Sequence, residues 1–115
     1  ILLDQEDLGG GLEFVANLVD GFAKDAESLF EQMVKSIESQ KTSQFRDLSH
    51  ALKGSAGSVG ARRLQELSGR ASRIGNGDFS HMGPTALSEM QSAFAEAKSA
   101  LSSYVTERKN QVSRS

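Results

Sequence analysis

Residues 45–61 read FRDLSHALKGSAGSVGA, and the apolar members of the stretch fall at Phe45, Leu48, Leu52, Ala56 and Val59, three or four residues apart throughout. That is the period of an α-helix with one buried stripe. His50 lies two residues from both Leu48 and Leu52, so at roughly 100° per residue it points about 200° away from each and faces outward. Its neighbours on that face are Arg46, Asp47, Lys53 and Gly54, with Gly57 one turn further on. A glycine inside a helix costs roughly 1 kcal/mol relative to alanine, so two of them on one outward face require a compensating reason. Missing side chains leave the imidazole uncovered for a large partner. Lys53 places a mobile cation within reach of an anion attached to the ring.

The same period runs through the rest of the chain, with one proline and no sustained strand-like alternation. Asp4 caps an expected short first helix, which the run Gly9, Gly10 and Gly11 would end as a hinge. A long helix is expected from about Leu12 to Ser39, burying Val15, Val19, Phe22, Ala26, Leu29, Met33 and Ile37, widened by Leu18 and Phe30. Thr42 or Ser43 can cap the His50 helix, which should stop between Ser58 and Gly60. The next helix starts near Ala61 and buries Leu64, Leu67, Ala71 and Ile74 before Gly75, Asn76 and Gly77. Pro84 suits the first turn of a last helix running to about Arg108, with Leu87, Met90, Phe94, Ala97, Leu101 and Tyr104 inward. Four such stripes bury one another most simply as an all-α, antiparallel up-and-down four-helix bundle with a short extra N-terminal helix. The expected division is residues 1–11 as helix and hinge, 12–108 as bundle and 109–115 as a flexible tail. All three methionines are assigned to the core. Leu12, Phe14 and Leu18 could instead belong to a docking surface.

A chain of 115 residues with 37% hydrophobic content supports one self-sufficient core and hence one domain. Cysteine is absent, which excludes disulfides, thiolate metal sites and a cysteine nucleophile. No apolar run approaches the roughly 20 residues that span a bilayer, and no secretory leader is evident, so a cytoplasmic setting without direct membrane contact is expected. The start at Ile1 suggests a domain cut from a longer protein. Net charge is −2, too balanced to point to nucleic acid, but between Arg46 and Arg73 six basic residues face two acidic ones. That local excess would attract a phosphoryl group or an acidic partner surface. For the arginines beyond Leu64 and Leu67, ordinary solvated helix faces explain the pattern equally well.

A neutral imidazole is a good nucleophile towards an acyl phosphate such as phosphoaspartate. Reversible transfer needs an exposed nitrogen, a cation and an open approach, which His50, Lys53 and Gly54 supply in turn. Two other classes compete. The pairs Asp47 with His50 and Asp78 with His81 have spacings seen in bundle metal sites, but His50 points away from the core and His81 is expected in a loop. A purely structural interaction bundle would make His50 incidental.

His50, Leu52, Lys53, Gly54, Ser55, Ala56, Gly60 and Ala61 resemble the signature of histidine-containing phosphotransfer (HPt) domains. The resemblance implies a carrier, not an autonomous enzyme, that passes phosphoryl groups between receiver-domain aspartates in phosphorelays. It makes His50 the phosphorylated residue, Lys53 the phosphate-neutralising cation and Gly54 the access glycine. It implies no cofactor on this chain, Mg2+ in the partner receiver, and the C-terminal part of a bacterial hybrid sensor kinase as the setting. A monomer is expected, because the apolar stripes are used internally. In several relatives a glutamine on the following helix holds the other imidazole nitrogen. Counting places Ser72 there, with Gln65 and Ser68 as further candidates and Arg46 and Gly57 beside the ring on its own helix.

Overall fold

The computed structural model describes residues 10–114, and the expected Asp4-capped helix lies outside them. Among the described residues four helices follow one another: α1 (Gly10–Glu38), α2 (Thr42–Val59), α3 (Arg62–Ala71) and α4 (Phe79–Arg114). α1 packs on α2 and α4, and α3 packs on the same two, which closes the expected antiparallel bundle. Its core is one cluster that includes Phe22, Phe30, Met33, Phe45, Leu52, Leu64, Phe79, Met90 and Phe94. Ring pairs tie the helices together: Phe94 lies 5.6 Å from Phe22 and 5.5 Å from Phe30, and Phe45 lies 5.2 Å from Phe79.

The helices are unequal. At 29 and 36 residues, α1 and α4 are far longer than α2 and α3 at 18 and 10. At 1.5 Å per residue α1 outruns α2 by about 16 Å. The overhang forms a two-helix hairpin in which Leu12, Val15 and Val19 of α1 meet Val105 of α4. The described residues are accordingly drawn out to 57 × 19 × 18 Å.

Several boundaries differ from those read in the sequence. α1 begins at Gly10, so Gly10 and Gly11 are helical and not a hinge. Lys41, not Thr42 or Ser43, is the N-cap of α2, with no side-chain cap. Backbone bonds close that turn instead: Lys41 N–H donates to Ser36 O at 2.8 Å and Phe45 N–H to Lys41 O at 3.1 Å, while Gln40 takes φ 54°. α2 stops where expected, because Gly60 adopts φ 75°. Its turn is closed by Ala61 N–H donating to Ala56 O at 2.9 Å, a bond pattern that terminates helices.

α4 starts at Phe79, so Pro84 lies inside the helix and His81 is on its first turn, not in a loop. Phe79 is buried against Phe45 and needs Gly83 one turn later, where a Cβ would come within 2.9 Å of the Phe79 ring. Burial of that ring outweighs the weak helix signal before the proline. Met82 on the same turn is 48% exposed, so only Met33 and Met90 are core methionines. At the far end α4 continues to Arg114, replacing the expected tail, and Arg108 bonds Gln111 at 3.1 Å along it. There only α1 remains to pack against. The inward stripe narrows to a seam that takes Val105 and leaves Tyr104 39% exposed.

Candidate functional site

α2 buries Phe45, Ser49, Leu52 and Ala56, while Leu48 is only half-buried. Ser49 takes that place in the stripe because its hydroxyl donates to Phe45 O at 2.9 Å and so enters the core satisfied. The outward direction of His50 survives the change: the residue is exposed, and among the described residues its ring has no hydrogen-bond or ion-pair partner. Four residues on, a Cβ built on Gly54 would meet no atom within 4 Å. No internal packing therefore demands a glycine at that position. Gly57 is different, because a Cβ there would lie 3.0 Å from the Gln65 amide nitrogen on α3.

Two contacts set the register of α2 against α3: Gly57 faces Gln65, and Lys53 faces Gly69. One residue back along α2 is thus one forward along α3, and His50 falls level with Ser72 at the C-terminal end of α3. The Ser72 hydroxyl, however, donates to Gly69 O at 2.7 Å within its own turn. Gln65 lies beside Gly57, two turns from His50. Ser68 is fully buried, and its hydroxyl finds no hydrogen-bond partner. None of the three bonds the imidazole. Arg46, one turn before His50, donates from Nε to Ser72 O at 3.1 Å and braces the end of α3 against α2.

Lys53 is half-buried and leans across α3. Its Cδ and Cε pass 3.6 and 3.8 Å from the Cβ position of Gly69, and one guanidinium nitrogen of Arg73 comes within 3.7 Å of the same point. The sequence contains both cations without bringing them together, since their meeting depends on the register of two helices. The placing of Arg62, Arg70 and Arg73 eight and three residues apart, intervals that return to one helix face, was the available signal. Chemically, the face offers a free imidazole, an uncovered approach over Gly54 and, one turn from the ring, a lysine whose stem lies across Gly69. Among the described residues no group of three or more histidine and acidic side chains is placed to hold a metal ion.

The family model for the Hpt domain matches residues 17–103. The chain belongs to the Hpt domain family. Its members are histidine phosphotransfer carriers of phosphorelay signalling that work with receiver domains, and the all-α bundle is the fold expected of them. No match was found among curated proteins or among solved structures. No helix among the described residues is long and apolar enough to cross a membrane.

Proposed function

We propose that His50 of this Hpt domain takes a phosphoryl group from the phosphoaspartate of one receiver domain and gives it to the aspartate of another. The observation that carries this reading is the bare face around His50: an exposed, unpartnered imidazole with open space over Gly54 one turn away. In the forward step a ring nitrogen lone pair attacks phosphorus, the P–N bond forms, and the P–O bond to the aspartyl carboxylate breaks. The carboxylate leaves with the bonding electrons and the ring keeps its other N–H. Reversal regenerates neutral imidazole. Lys53 offsets the charge of the bound phosphoryl group, for which its ammonium has to swing from above Gly69, a motion its long stem permits. Mg2+ and the reacting aspartate belong to the receiver. The expected setting is a hybrid sensor kinase, whose own receiver would be the first donor.

Incubation with radiolabelled phosphoreceiver tests the reading. The wild-type domain should acquire acid-labile label, His50→Ala should acquire none, and Lys53→Ala should be labelled about tenfold more slowly or worse with its helical circular dichroism intact. Acid-stable label, or label that persists in His50→Ala, excludes His50 as the carrier. A His50→Ala protein that still binds receivers and supports signalling normally would favour a structural interaction bundle.

A further inference from the structure

Beyond His50, a groove of about 530 Å³ between α2 and α3 is lined by Lys53, Arg62, Arg70 and Arg73 together with Gly69. Glu66 is its single acid. None of these cations is in an ion pair: the pairs among the described residues are Lys24 with Asp20, Lys35 with Glu31 and Lys98 with Glu27, all elsewhere. Lys53 and Arg73 approach the same point over Gly69. Four like charges drawn together against one acid, Glu66, make a surface that an anion relieves.

The dimensions decide which anion. Arg62 to Arg70 spans about 12 Å at helical rise and Arg73 stands two residues past the end of α3, a longer row than one phosphoryl group on His50 can touch. Arg62 stands at the far end of α2 from His50, beyond its reach. The groove is nevertheless continuous with the transfer site, because Lys53 belongs to both. A partner that holds an aspartyl phosphate together with Mg2+ is rich in carboxylates around that centre, since this hard cation takes oxygen ligands.

We propose that the α2–α3 groove is a docking surface for a row of acidic side chains on the phosphoryl-exchanging partner, with Arg62, Arg70 and Arg73 reading that row. This rests on the carrier reading of His50. The arginines act on encounter and partner choice, and the chemistry at the imidazole does not depend on them.

Two measurements test it. In the first, a hexaglutamate peptide is titrated into the isotope-labelled domain. Amide shifts should concentrate at Lys53 and residues 62–73, fade at high salt, and vanish in the double variant Arg62→Glu/Arg70→Glu. Shifts that are absent or scattered overturn the proposal, as does an oligouridine that occupies the groove more tightly than the peptide. In the second, phosphorylated receivers are presented to wild-type and double-variant domains. Transfer should fall about tenfold or more in kcat/KM in the double variant and lose most of its salt dependence. Labelling of His50 by phosphoramidate, a small donor that needs no docking, should stay at the wild-type rate. Equal transfer from receivers to both proteins overturns the proposal. If no receiver labels the wild type although phosphoramidate does, the carrier reading fails, and the peptide titration alone still decides whether the groove takes carboxylates.

Discussion

The four-helix section and the hairpin beyond it share the same two long helices, yet one is a core and the other a seam. In the four-helix section Phe45, Met33, Leu52, Leu64 and Met90 lose essentially all contact with solvent. In the hairpin Leu12, Val15, Val19 and Val105 are each still 7–9% exposed, and Phe14 and Leu18 are 55% and 36% exposed. The difference teaches where rigidity is placed. His50 stands on a helix whose other side is the best-buried part of the molecule, so the imidazole is presented from a fixed support and can be left bare.

The largest effect expected from this contrast is in stability. Phe45→Ala removes a fully buried ring that packs on Phe79 and should lower the free energy of unfolding by about 3–5 kcal/mol. Val105→Ala in the seam should cost only about 1–2 kcal/mol, at roughly 0.8 kcal/mol per methylene with incomplete burial. Urea unfolding of the two variants measures both. Equal losses would show that the hairpin is as integral to the fold as the core beneath His50.

Most of the four-helix section was legible in the sequence, because apolar residues three and four apart can hardly be read otherwise. The errors fall where one stripe had to stand for a whole environment. Tyr104 and Val105 are adjacent, and only the loss of α2 and α3 as neighbours decides which of them turns inward. Leu48 yielded to Ser49 because a hydroxyl bonded to its own helix counts as apolar, which no hydropathy pattern shows. At the site, the outward direction of His50 follows from helical angle alone. That Lys53 leans onto Gly69 beside Arg73 follows from the register of α2 and α3, a tertiary fact.

A second contrast sharpens the first, since Gly21 and Gly54 are both helical and both have nothing within 4 Å of a Cβ position. Neither is explained by packing. Alanine at either should stabilise the fold by about 1 kcal/mol through helix propensity. Glutamine separates them: Gly54→Gln covers the imidazole one turn away and should reduce transfer from a phosphoreceiver about tenfold or more, whereas Gly21→Gln on α1 should leave it unchanged. Thermal melts together with initial transfer rates read both properties. Unaltered transfer in Gly54→Gln would mean that the glycine does not serve access.

The smallest effect concerns three serines buried in the four-helix section. Ser36 donates to Met33 O at 2.7 Å and Ser49 to Phe45 O at 2.9 Å, but the Ser68 hydroxyl has no partner. A buried hydroxyl that gives up water without gaining a bond is a net cost, and alanine, which lacks the hydroxyl, removes that cost. Alanine also favours the helix slightly more than serine does. Ser68→Ala should therefore raise stability by about 1 kcal/mol, while Ser49→Ala, which forfeits a made bond, should be close to neutral or mildly destabilising. Chemical denaturation of the pair measures the difference. A loss of stability in Ser68→Ala would mean that its hydroxyl is satisfied in solution, and that the core beneath His50 is wetter than its apolar lining indicates.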